Sequence, residues 1–275
     1  MNRNRSPFVI TAAILVALGA LVTYFSGYYV DWLWFQSVDF TDVWTTVLAT
    51  KIQLFLVVGI VTSLIISLNI YLAYKRRPLY VPVSIEVSGL ERLRAQIEPI
   101  RTWVFVGVVA ALTYFAGSSG MVFWREWLLF KNATDFGVTD PQFGLDISFF
   151  AFRLPMLQAI IGWGISTLVL AALASAFIHY MYGGIRTNVQ TDRTTVAARV
   201  QISILLGLIV LLKAVAYWFD RYALALKESK LITGPTYTDV NAVLPAKAIL
   251  SAIAVVCAIL FFANIVRRSW LLPAA

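Results

Sequence analysis

Charge, cysteine and histidine are what this chain of 275 residues has least of. Only 13% of its residues are Asp, Glu, Lys or Arg, against about 25% in ordinary soluble domains. There is one cysteine, Cys257, inside an apolar run, so no disulfide framework can form within the chain. With a single histidine, His179, a local His/Cys metal cluster is excluded as well. The sequence carries no HExxH or GxSxG pattern and no pair of aspartates within a hydrophobic run, so it is read as a non-enzyme with no cofactor.

What is present is apolar. Hydrophobic residues make up 60% of the chain and the mean hydropathy is +0.80, more apolar surface than one soluble core can hide. The nine tryptophans fit a bilayer, because Trp and Tyr collect at its two interfaces. Residues 8–27, 47–74, 102–120, 147–182, 200–218 and 245–266 are continuous apolar runs, each near the roughly 20 residues that a helix needs to cross a 30 Å hydrocarbon core. Continuous rather than alternating runs favour helices over barrel strands. The expected fold is therefore all-α, a polytopic helical membrane protein with six transmembrane helices and short interfacial helices. Residues 270–275 follow the basic pair Arg267-Arg268 and read as the start of a seventh, truncated span. The first run follows Arg3 and Arg5 like a signal peptide, but it is too long and ends without a small-residue cleavage site, so it is read as a retained helix.

Loop charge sets an expected orientation. With the N-terminus in the cytoplasm, the inner segments hold 13 Lys or Arg against 4 Asp or Glu, and the outer ones hold the remaining 9 and 10. Topology thus accounts for the formal net charge of +8 without a nucleic-acid partner.

The loops offer few candidates. Asp31-Trp32-Leu33-Trp34-Phe35 suits a short helix lying at headgroup level, and interfacial anchoring is preferred over ligand binding by its rings. Ser88-Gly89-Leu90-Glu91 fits a capping box, opening an amphipathic helix that rests on anionic lipid or docks a cytoplasmic partner before Glu98-Pro99 stops it. The pair Gly183-Gly184 is read as a helix end and turn. In the stretch DPQFGLDISFF, residues 140–150, Asp140 is expected to cap a turn begun by Pro141, Gly144 to end it left-handed, and Asp146 to cap the next helix. The rival reading is an outer cation site built from Asp135, Asp140 and Asp146, although their spacing is not that of an EF-hand loop.

Ionisable groups inside spans are functional candidates by default. Lys213 is the clearest, with Tyr217 one turn further along and Asp220 two turns on. Snorkelling toward the outer surface with help from Asp220 is the plain reading, and a polar pathway through Lys213, Tyr217 and Asp220 the functional one. Lys51, Asn69, His179 and Asn264 lie near helix ends, where interface placement suffices. Pro155 is expected to remove a backbone bond and kink the fourth helix, with Gly162 and Gly164 allowing close helix approach. No internal repeat and no second interrupted helix is apparent.

Three runs in order, Asp31-Trp32-Leu33-Trp34-Phe35, Arg77-Pro78-Leu79-Tyr80-Val81-Pro82 and Asp140-Pro141-Gln142-Phe143-Gly144-Leu145-Asp146-Ile147-Ser148-Phe149-Phe150, resemble the uncharacterised protein family 0182. Its members are large integral membrane proteins, mainly of actinobacteria and cyanobacteria. The resemblance covers essentially the whole chain and implies a longer protein, in which a seventh helix cut near Pro273 precedes a large extracytoplasmic domain. It transfers no catalytic residues. Three functions are open on this basis: an anchor and assembly platform of the cell envelope, a transporter or channel subunit for a lipid or small solute, and, least favoured, an intramembrane enzyme. Expected partners are membrane lipids and another protein or further copies of this chain.

Overall fold

The computed structural model describes residues 7–78, 95–186, 194–227 and 234–267. It is helical, and no strand is formed among the described residues beyond two isolated bridges, Thr139 to Asp146 and Ile185 to Thr194. Six helices are long and apolar enough to cross a membrane. We number the α-helices α1 (Pro7–Ser37), α2 (Thr41–Lys75), α3 (Arg101–Gly120), α4 (Trp124–Lys131), α5 (Leu154–Met181), α6 (Val196–Tyr222) and α7 (Leu244–Arg267). The proposed seventh span and the capping box at Ser88 fall outside the described residues.

The chain divides into two compact units, Met1–Gln53 and Leu54–Ala275. In the first, α1 runs ten residues past Gly27, so Asp31 to Phe35 continue the helix instead of lying as a separate interfacial segment. One glycine is too small a penalty to stop a helix whose following residues contain no proline. Its rings meet along the axis, Tyr24 tilted against Tyr28 and Tyr29 stacked on Trp32. The stop comes at Asp39, whose φ of 59° is left-handed. Phe40 N–H then donates to Phe35 C=O (3.0 Å) and Asp39 N–H to Gln36 C=O (3.3 Å), the paired bonds of a Schellman cap with aspartate in glycine's usual place.

In the second unit, residues of α2, α3, α5 and α6 pack around a small core of Ile66, Ala171 and Leu205. Helices in lipid gain little from burying apolar side chains against each other, so small residues that let backbones approach are decisive. That approach occurs between α2 and α3. A methyl group added at Gly117 would lie 2.7 Å from Phe55 C=O, and one at Gly59 2.6 Å from Thr113 C=O. Gly120 fits against Val58 in the same way. Gly162, expected to serve this purpose, faces open space, and Gly164 meets only a flexible Leu212 methyl.

Two prolines shape the helix openings. Before α5, Phe149–Arg153 forms a π-helical turn, with Leu154 N–H donating to Phe149 C=O five residues back, and Pro155 follows. Widening the turn gives the pyrrolidine ring room and uses the position where its N–H is missing, so the helix continues through the proline. Before α7 the same device recurs: a π turn at Asp239–Val243, a Leu244 N–H to Asp239 C=O bond, and Pro245. Residues 146–155 (DISFFAFRLP) and 236–245 (TYTDVNAVLP) share only Leu-Pro, which is why no repeat is visible in the sequence. At Glu98-Pro99 the α-helical residues 95–97 give way to a 3₁₀ turn, Glu98–Ile100, that leads into α3.

Replacing Gly117 by Ala is expected to destabilise the bundle by about 1–3 kcal/mol through overpacking against Phe55. Gly162→Ala is expected to be neutral or stabilising by up to about 1 kcal/mol, since it only adds helix propensity. Thermal unfolding of both variants in one detergent measures the opposite signs.

Candidate functional site

Three polar constellations are built by this fold. The first is the DPQFGLDISFF stretch. Asp140 accepts from the amides of Gln142 (3.0 Å) and Phe143 (2.7 Å), Gly144 takes φ 66°, and the turn closes with Gly144 N–H on Asp140 C=O. Asp146 caps the next helix through Ser148 N–H (2.8 Å) and also accepts from Phe136 N–H (3.1 Å) and Gly137 N–H (2.8 Å). Ser148, by hydroxyl and amide, together with those two amides, lowers the Asp146 carboxyl to about 2. Asp135 instead accepts from the Ser148 hydroxyl (3.2 Å) and faces Arg153 (3.7 Å). Backbone donors thus occupy Asp140 and Asp146, and no group of three His, Cys, Asp or Glu able to hold a metal is found among the described residues. Phe143, Phe149 and Phe150 all pack on Tyr222, seating the stretch on the end of α6.

The second constellation surrounds Lys213. Its ammonium lies 4.8 Å from the centre of the Tyr217 ring, a cation–π contact one turn along α6. Asp220 does not join them. It pairs with Lys247 of α7 at 3.2 Å. Lys213 itself is exposed on the helix surface, which is the placement of a snorkelling side chain. Beyond α6, Lys227 grips both carboxylate oxygens of Asp239 at 2.8 Å, and Thr236 donates to the same group from its amide (2.9 Å) and hydroxyl (2.7 Å). This clamp closes the connection between α6 and α7.

The third constellation is buried. His179 in the last turn of α5, Gln201 on α6 and Asn69 on α2, the latter two between one and two turns from their helix ends, meet there. Gln201 pairs with His179 Nε2 (3.0 Å) and donates to Asn69 C=O (2.9 Å), Asn69 Oδ1 (3.3 Å) and Ser175 Oγ (3.1 Å). His179 is 1% exposed and Ser175 fully buried. The His179 carbonyl does a second job, accepting from Gly184 N–H (2.6 Å) in a Schellman cap where Gly183 has φ 73°. Lesser bonds repeat the pattern. Trp163 Nε1 donates to Thr62 (2.8 Å), Ser63 meets Thr113 (2.7 Å), and Asn264 donates to Ser203 (2.9 Å). Asn69, His179 and Asn264 are therefore interhelical ties placed near helix ends. Only their polarity within apolar runs marked them, because their partners lie on other helices.

Comparison with known proteins decides the family. The model of the uncharacterised protein family UPF0182 matches residues 8–275. The chain belongs to this family. It is 47% identical over 271 residues to a UPF0182 protein of Nocardioides sp., covering 98% of this chain and 27% of that one. A UPF0182 protein of Streptomyces coelicolor is 44% identical over 277 residues, covering 99% and 28%. The chain thus spans little more than a quarter of these UPF0182 relatives. No solved structure matches it.

Gln201→Leu should destabilise the bundle by about 1–3 kcal/mol, since interhelical bonds in membranes average about 0.6 kcal/mol and three partners lose theirs; denaturant titration in mixed micelles reads this. The Asp146 cap has its own pH window. Its pKa of about 2 lies below the unfolded value of about 3.9, so its contribution is complete above that value and is lost as pH falls through about 2. Hydrogen exchange at Phe136, Gly137 and Ser148 is therefore expected to quicken between about pH 4 and 2 relative to global exchange, and Asp146→Asn to remove that dependence.

Proposed function

We propose that this helical region is a membrane-embedded anchor and assembly platform of a bacterial cell envelope, non-catalytic in itself, with its N-terminus in the cytoplasm. The observation that carries the reading is the use made of intramembrane polar groups. Thr62, Ser63, Asn69, Trp163, Ser175, His179, Gln201, Ser203 and Asn264 spend their hydrogen bonds tying one helix to another. In hydrocarbon such bonds are the alternative to unsatisfied polar groups, and they hold a fixed arrangement. Relatives more than three times as long as this chain are consistent with an anchor that carries a further domain outside the membrane.

Transport of a lipid or small solute is the second reading, favoured by the matched π-helical openings of α5 and α7, since paired interrupted helices mark many transporter sites. Those interruptions in transporters lie near the midplane, however. Here each sits at the first turn of its span and is capped there, at Asp146 and at Thr236. The position favours a structural role.

Native mass spectrometry of the full-length protein, extracted gently from its own membrane, tests the choice. A stoichiometric protein partner or a homo-oligomer, unchanged by Lys213→Ala, is the expected result. A monomer without a protein partner, together with solute flux into proteoliposomes that Lys213→Ala abolishes, would overturn the platform in favour of transport.

A further inference from the structure

Between α2, α3 and α5 lies a groove of about 490 Å³, within the size range of small-molecule sites. Its walls are apolar. Ile70 comes from α2, Phe105 and Val108 from α3, and Ala174, Phe177 and Ile178 from α5. Phe177 is 58% exposed and Val108 41%, so the groove opens sideways onto the surface that hydrocarbon would cover. One end of it is different. There Tyr74 and Arg101 line the wall, and Arg101 donates to the Tyr74 hydroxyl at 2.8 Å.

Cations crowd that end. The Arg77 guanidinium lies over the Tyr74 ring, 4.0 Å from its centre, and 5.5 Å from the centre of the Tyr182 ring. Lys75 sits 5.9 Å from the Tyr71 ring. The acid that pairs with Arg101 there is Glu98, at 2.8 Å in an exposed and therefore weak ion pair. Tyr74 and Tyr182 meet edge to face at 5.2 Å, and the guanidinium of Arg77 rests against both rings. An apolar slot that opens to lipid and ends in fixed guanidinium groups matches one molecule from both ends: an acyl chain along the slot and a phosphate at its mouth.

We propose that this groove is a binding site for one anionic phospholipid, its chain between α3 and α5 and its headgroup phosphate held by Arg77 and Arg101. The site lies at the helix ends that the loop charges assign to the cytoplasm, where anionic headgroups attract juxtamembrane cations. It rests on the reading of these helices as membrane spans and is independent of whether the region acts as platform or transporter. The bound lipid would staple α2, α3 and α5 together at this end.

The test is lipid titration of the delipidated full-length protein, read by native mass spectrometry, with phosphatidylglycerol and phosphatidylcholine of identical chains. One phosphatidylglycerol is expected to be retained in preference to phosphatidylcholine. Arg77→Gln, which leaves the Arg101–Tyr74 bond intact, and Arg101→Gln should each weaken it about fivefold, and Arg101→Lys less. Val108→Trp, filling the slot, should reduce retention of both lipids, and Lys213→Gln should change neither. Equal retention of the two lipids, or a phosphatidylglycerol preference untouched in the Arg77→Gln/Arg101→Gln double variant, would overturn the proposal. So would a dimer, formed without lipid, that Val108→Trp dissolves, because a second copy would then fill the groove. The lipid readouts do not depend on partner stoichiometry, so the site and the platform can fail separately.

Discussion

Six of the helices are apolar enough to cross a membrane, and a helix in hydrocarbon gains almost nothing by hiding apolar side chains against another, so polar ties and close backbone contact carry the packing. Where a soluble bundle would rely on leucine packing, this one relies on Gln201. Its single carboxamide joins α2, α5 and α6 by bonding Asn69, Ser175 and His179 at once. Close backbone contact does the same for α2 and α3, where Gly59, Gly117 and Gly120 leave room for Thr113, Phe55 and Val58. The two devices act at different levels along α2, so that helix is held toward α3 at one level and toward α5 and α6 at another.

The helix ends obey a related rule. Each end leaves orphan backbone groups, and the chain satisfies them with local chemistry. Asp146 caps the turn into α5, Thr195 caps α6 by accepting from Ala198 N–H (3.3 Å), and Asp39 and Gly183 terminate α1 and α5 in left-handed turns. The unusual residues of DPQFGLDISFF are accounted for in this way, and its aromatic remainder is spent on Tyr222.

How much of this was legible in the sequence follows from the range of each interaction. Apolar runs located all six long helices, because hydropathy is a property of contiguous residues. The Asp140 turn, the Gly144 conformation and the Asp146 cap were legible too, since each cap spans three residues or fewer. Extension of α1 through Trp32 was not, because dense aromatics fit both an interfacial segment and a helix. At Pro99 and Pro155 the interruption of α-helical bonding was legible, but not its form, a 3₁₀ turn and a π turn. The partner of Asp220 was missed for a simple reason: Lys247 lies 27 residues away on α7, while Lys213 was the nearby cation on its own helix. No local pattern predicts which of two lysines a folded bundle brings closer.

The sequence separation of the ties also bears on biogenesis. Connections between α6 and α7 are local. The Lys227 to Asp239 clamp spans twelve residues, so that hairpin can close as soon as it leaves the ribosome. Those of α2 are not. Thr62 pairs with Trp163 across 101 residues, and Asn69 with Gln201 across 132. At a synthesis rate of about 5–20 residues per second, α2 waits roughly 7–26 seconds for Gln201 to be made. During that interval its threonines and asparagine have only their own backbone to bond, as Asn69 does with Ile65 C=O at 2.9 Å. That local bond satisfies the Asn69 amide before Gln201 is made.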